Sequence, residues 1–189
     1  VEKNETTHDT RESSITELLA SPGLIRVLLA AIFVGVTMGT TFTFYQPWAL
    51  SLGYTEISAY LVGFAVCAMF VRIVLGGVAD RFGRLNVAIG SLFLYVFAPL
   101  CLITVESIGL FYTGAILGIA HGLFFPALNA VALERTSDAG RGKGMAMYHG
   151  AFNIGFASGS YLLGYVAMSK GYPSIFYIAS FTCLLGLVI

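Results

Sequence analysis

Apolar positions in this chain run in six long blocks, separated by short segments rich in glycine and polar residues. The blocks cover residues 22–44, 57–79, 85–103, 108–133, 142–166 and 173–189. Each is near the ~20 residues that an α-helix needs to cross a hydrocarbon layer about 30 Å thick. The pattern predicts an all-α membrane protein of six transmembrane helices, and the short connections make neighbouring helices antiparallel. Composition agrees: 57% of residues are hydrophobic and 11% charged, where a soluble domain has about 25% charged residues.

The net charge is zero, but basic residues alternate along the loops. Lys3, Arg11 and Arg26 precede or enter the first block, Arg81 and Arg84 follow the second, and Arg135, Arg141 and Lys143 follow the fourth. The loops after the first and third blocks carry no Lys or Arg, and the loop after the fifth has Lys170. The positive-inside rule puts the basic loops and both chain ends in the cytoplasm, with the cell membrane as the expected location. Residues 1–21 read as a polar cytoplasmic segment: Ser14 and Glu17 have capping-box spacing, and Ile15, Leu18 and Leu19 form a short amphipathic turn on the membrane surface. Ser21 and Pro22 suit the cap and first position of the first spanning helix. No signal peptide is visible, and the abrupt apolar end at Ile189 and the lack of an initial Met suggest a fragment. The sequon at Asn4 falls on the cytoplasmic side and is expected to stay unmodified.

Cys67, Cys101 and Cys183 all lie within apolar blocks without metal-ligand spacing, and read as small core residues. The run DAGRGKG, residues 138–144, lacks the glycine spacing and the Ser or Thr of a phosphate loop, and reads as a basic turn.

More informative is GGVADRFGR, residues 76–84, which follows a block carrying one cation, Arg72. On a continuous helix Arg72, Gly76 and Asp80 would share one face. Gly76 and Gly77 would flatten that face for a neighbouring helix. Asp80 would then either pair with Arg72 or cap a helix N-terminus. Gly83 supplies a tight turn, while Arg81 and Arg84 anchor in the headgroups.

These residues resemble the signature loop of the major facilitator superfamily, roughly G-x-x-x-D-R-x-G-R and a further basic residue. Gly76, Asp80, Arg81, Gly83 and Arg84 match it, and Leu85 departs at the last position, as second-half copies do. GLFFPALNAVALERT, residues 122–136, and Gly171-Tyr172 with Phe176 are also similar to second-half patterns. The resemblance implies that residues 22–189 are the C-terminal six-helix half of a twelve-helix transporter. Its partner would be an N-terminal half of the same protein, and both halves would rock about a central site. It also implies a latch role for Asp80, and a cavity lined by the first, second, fourth and fifth helices of the half.

Polar side chains inside spans are costly, so each is satisfied locally or faces a cavity. The cavity candidates are Thr37, Thr41, Tyr45 and Gln46 in the first block, His121, Phe125 and Asn129 in the fourth, and His149 and Asn153 in the fifth. His121 either couples a proton to transport or is held structurally by a carbonyl or by Asn153. Asn129 and Asn153 either orient a solute or bridge helices, and membrane threonines commonly bond their own helix. Gly155 and Gly159 invite close packing. Apart from Asp80, no block contains Asp or Glu, so a titrating carboxylate would have to come from the other half.

The expected partners are membrane lipid, the other half, a small-molecule solute and a coupling proton, without nucleic acid, cofactor or metal. Efflux or metabolite transport is the leading reading. A self-associating six-helix protein and a membrane-embedded enzyme are the rivals, and no catalytic constellation supports the latter.

Overall fold

A computed structural model describes residues 15–189. The Asn4 sequon, the charges at Lys3 and Arg11, and the Ser14 member of the expected capping pair lie outside them. In chain order the helices are α1 (Ile15–Leu19), α2 (Pro22–Ser51), α3 (Ser58–Val74), α4 (Val78–Phe82), α5 (Arg84–Ile103), α6 (Val105–Ile108), α7 (Leu110–Glu134), α8 (Arg141–Lys170) and α9 (Tyr172–Val188). The six long helices fall on the six apolar blocks. By length and composition, α2, α5 and α7 are long and apolar enough to cross a membrane, while α3 and α9 are apolar but shorter.

The helix boundaries follow local chemistry. Pro22 opens α2, where its missing N–H costs nothing. Gly83, Gly109 and Gly171 sit just before α5, α7 and α9 at φ of +88°, +87° and +81°, where other residues would be strained. The first helix runs beyond its apolar block to Ser51, so Gln46, Pro47 and Trp48 lie within α2. The second stops at Val74, because Gly76 and Gly77 weaken the helix, and resumes as the short α4. The expected continuous face through Arg72, Gly76 and Asp80 is therefore broken. Leu18 of α1, expected on the membrane surface, is buried against the bundle, whereas Leu19 is exposed.

Two glycine-lined seams hold the bundle together. On α2, a Cβ added at Gly35 or Gly39 would collide with the backbone of Phe152 or Phe156 of α8; on α8, one added at Gly155 or Gly159 would collide with the carbonyls of Ile32 or Val36. The α3–α7 seam repeats the exchange: Gly63 faces the Phe111 carbonyl, and Gly114 and Gly118 face the carbonyls of Tyr60 and Phe64. Small residues at these positions let the helices approach until backbone touches backbone, which maximises dispersion contact where no hydrophobic force separates lipid from protein. The close packing expected at Gly155 and Gly159 is present.

The remaining helices follow the same order. α5 packs on α7 as α9 packs on α2, and α5 and α9 pack on each other. Exchanging the triplet α2, α3, α5 with the triplet α7, α8, α9 leaves these principal pairings unchanged, while the lesser α8–α9, α7–α8 and α2–α5 contacts have no counterpart of comparable extent. Because α2 begins, and α7 ends, where Gly23 meets Arg135, the two triplets run in opposite directions.

That end of the bundle gathers most of the basic residues. Arg26, Arg81, Arg84, Arg135, Arg141 and Lys143 gather where α2, α5 and α8 start and α3 and α7 finish. The opposite end is closed by neutral bonds, from Trp48 Nε1 to the Leu102 carbonyl (2.8 Å) and from the Tyr54 hydroxyl to the Val105 carbonyl (3.0 Å).

Candidate functional site

His121 of α7 is the centre of an aromatic cluster drawn from four helices. Its ring centroid lies 5.7 Å from that of Phe64 on α3, 5.2 Å from Phe125 one turn along α7, and 6.3 Å from Phe152 on α8. The hydroxyl of Tyr95 on α5 lies 2.5 Å from His121 Nδ1. Beyond Phe125 the cluster continues to Tyr148 and His149 of α8, each with its ring centroid 5.5 Å away. His121, Phe125 and His149, expected on cavity-lining helices, are thus joined in one half-buried surface.

A cavity of about 400 Å³ opens beside this cluster, lined by Met38, Phe42, Phe64, Met69, Arg72 and His121 among others. Arg72, assigned from the sequence to the loop signature, therefore also belongs to the wall of a cavity that His121 shares.

The other candidates divide. Thr37 and Thr41 are fully buried. Thr37 donates to the Ala179 carbonyl of α9 at 2.8 Å, and Thr41 to the Thr37 carbonyl at 2.9 Å. Thr37 thus ties α2 to α9, and neither threonine lines the cavity beside His121. Tyr45 is also buried, stacked on Tyr60 with centroids 4.3 Å apart and planes at 17°. Gln46 and Asn153 are exposed. Asn153 is not the partner of the His121 Nδ1; Tyr95 is. Asn129 Oδ1 is buried without a hydrogen-bond partner among the described residues.

Tyr95 is not among the sequence candidates because the resemblance leaves the third helix of the half out of the cavity lining. A signal was present: a tyrosine in mid-span needs a partner for its hydroxyl.

At the charged end, Asp80 does not pair with Arg72. Its carboxylate accepts from Arg84 Nη2 at 3.3 Å, and Arg84 Nη1 reaches Glu134 of α7 at 2.7 Å. The break after Val74 turns Asp80 toward α5, leaving Arg72 without an ion pair among the described residues. Glu134, within the run quoted above but not singled out there, is the side chain that ties this corner to α7. Gly76 and Gly77 touch no neighbouring helix among the described residues: a Cβ at Gly76 would meet only the Arg72 carbonyl of its own segment, and one at Gly77 nothing within 4 Å. A second cavity, about 380 Å³, lies here between Arg72, Gly76, Asp80, Arg84 and Pro126. Arg81 is exposed.

A family model described as Major Facilitator Superfamily matches residues 24–189. An uncharacterized MFS-type transporter of Pseudomonas aeruginosa (strain UCBPP-PA14) is 26% identical over 155 residues, covering 82% of this chain and 39% of that protein. Multidrug resistance protein 1 of Bacillus subtilis (strain 168) is 27% identical over 168 residues, covering 87% of this chain and 42% of that protein. The chain thus spans about two-fifths of the length of these curated relatives. No solved structure gives a significant match.

Proposed function

The chain belongs to the Major Facilitator Superfamily and is an integral membrane protein, and on that premise we propose that it is the C-terminal six-helix half of a secondary active transporter. The six long helices all span the membrane, with the charged end cytoplasmic. The protein carries a small molecule by alternating access, rocking against an N-terminal half about a site between the two.

The observation that carries this reading is the exchange pattern of the two helix triplets, with antiparallel direction and matching glycine seams. Inverted three-helix repeats are the arrangement described for halves of transporters in this superfamily. Such a half is a stiff unit, suited to tilting as a body. The name of the Bacillus relative leans toward efflux of foreign compounds. Family membership points away from an enzyme.

The cluster around His121, Phe125 and His149, with Arg72 at its edge, is the share of the solute site that this half contributes. Asp80, its side chain 68% exposed and held only at 3.3 Å by Arg84, is free to engage the second half as a latch at the closed cytoplasmic side.

The test uses the full-length protein in proteoliposomes, with Cys67, Cys101 and Cys183 replaced and single cysteines placed at Gln46 or Arg81. Adding a transported solute is expected to change labelling at the two positions in opposite directions. Unchanged labelling at both, or Arg81 and Lys143 emerging on opposite faces of the bilayer, removes the proposal.

A further inference from the structure

The cavity beside His121 has a charge bias. Arg72 reaches it with no carboxylate paired to it among the described residues, because Arg84 holds Asp80. The remaining wall is apolar or aromatic, led by Met38, Phe42, Phe64 and Met69. Every acid from α2 onward, namely Glu56, Asp80, Glu106, Glu134 and Asp138, lies at a helix end or in a connection. A cationic solute entering here would meet a like charge and no counter-ion.

His121 adds a directed donor. The Tyr95 hydroxyl has one proton and two acceptors in reach, His121 Nδ1 at 2.5 Å and Met38 Sδ at 3.8 Å. An imidazole nitrogen is much the better acceptor, so the proton goes to Nδ1. The neutral ring then carries its own hydrogen on Nε2, the nitrogen Tyr95 does not occupy. Nε2 has no partner among the described residues. Phe42 and Phe64 line the cavity with ring centroids 4.9 Å apart, edge to face, and offer faces and edges to a flat group, while Phe125 and Phe152 pack on the imidazole outside that lining.

We propose that this cavity binds an amphiphilic aromatic carboxylate, with Arg72 carrying the charge, His121 Nε2–H donating to the carboxylate, and Tyr95 acting as the positioning residue that fixes the His121 tautomer. A guanidinium suits this task because its planar fork matches a carboxylate in two parallel bonds. The aryl group lies among the phenylalanines. Tyr95 makes the imidazole a donor at the moment of binding, with no proton to rearrange.

The inference deepens the transporter reading and rests on it for the solute being carried. Its test is calorimetric binding to the purified full-length transporter of three probes alike in shape: 2-naphthoate, 2-naphthylmethylammonium and 2-naphthalenemethanol. Naphthoate is expected to bind about tenfold or more tighter than either of the others, as a charge-assisted hydrogen bond to Arg72 would give. Arg72→Gln should cost naphthoate about tenfold and leave the alcohol nearly unchanged, and Arg72→Lys should recover part of the loss. Tyr95→Phe should weaken naphthoate severalfold beside His121, yet have no effect on it in a His121→Gln protein, whose amide donor needs no tautomer to be chosen. A purely structural Tyr95 would lower stability in both backgrounds without changing the ranking of the probes. Preference for the ammonium probe, equal binding of all three, binding of none, or naphthoate affinity indifferent to Arg72→Gln would overturn the proposal. The two readings fail separately: Arg72-dependent naphthoate binding without flux in proteoliposomes removes transport and keeps the site. Flux of the ammonium probe that ignores Arg72 removes the site and keeps transport.

Discussion

Along the α2–α8 seam, Gly35 and Gly39 face the backbone of Phe152 and Phe156, and Gly155 and Gly159 answer from the other side. Along α3–α7, Gly63, Gly114 and Gly118 make the same exchange. The chemistry beside the two seams differs. Next to the first, Thr43 bonds Ser160 at 2.9 Å, and Thr37 spends its proton on a backbone carbonyl of α9. Next to the second stand Arg72 and His121, the former without an ion pair and the latter, which reaches α5 through Tyr95, with Nε2 unpartnered among the described residues. Thr37 and His121 occupy matching interfaces, α2 with α9 and α7 with α5, yet Thr37 bonds a backbone carbonyl across its interface whereas His121 meets a side-chain hydroxyl across its own. A repeated scaffold thus supplies the same glycine seam twice while the polar groups beside the two seams differ, because helix packing tolerates one glycine pattern in both repeats and leaves the side chains around it free to diverge.

The largest effect should come from filling a seam. Gly39→Leu or Gly118→Leu forces apart helices whose backbones touch, and each should cost about 3 kcal/mol. Thermal unfolding of the full-length protein in detergent measures it, and strong sensitivity of one seam with indifference of the other would break the claimed equivalence. Asp80→Asn, at the end of the second seam only, should lower flux about tenfold with little loss of stability if Asp80 is the proposed latch, since the charge-assisted contact with the other half would go. Wild-type transport and accessibility would dismiss the latch. Thr37→Val should cost about 1 kcal/mol by losing the bond to Ala179, with solute affinity unchanged, whereas a His121→Leu protein should lose affinity. A fall in solute affinity in the Thr37 variant would erase the distinction drawn between the two interfaces. The smallest change is expected at Gly150 of α8, where an added Cβ meets nothing within 4 Å. Gly150→Ala should raise stability by up to about 1 kcal/mol through helix propensity alone, and destabilisation there would mean that the free face of α8 is closely packed in the whole protein.

Much of this architecture is a local property of the chain and could be read from it. Block length and apolarity mark the six helices. Gly83, Gly109 and Gly171 punctuate them at positive φ, Gly155 and Gly159 announce a close contact, and the arginines mark one end. The signature residues from Gly76 to Arg84 pointed to the family that the match over residues 24–189 established. What tertiary structure alone decided is which polar group meets which. Tyr95 rather than Asn153 holds His121, Arg84 rather than Arg72 holds Asp80, and Thr37 and Thr41 turn inward away from the cavity beside His121. The reason is rotational. A soluble helix declares its buried side by an apolar stripe, whereas α7 and α9 are apolar nearly all round and carry no such stripe. The rotation of α7 about its axis, and with it each of its partners across the α3–α7 seam, is set only when Gly114 and Gly118 meet the backbone of α3 in the assembled bundle.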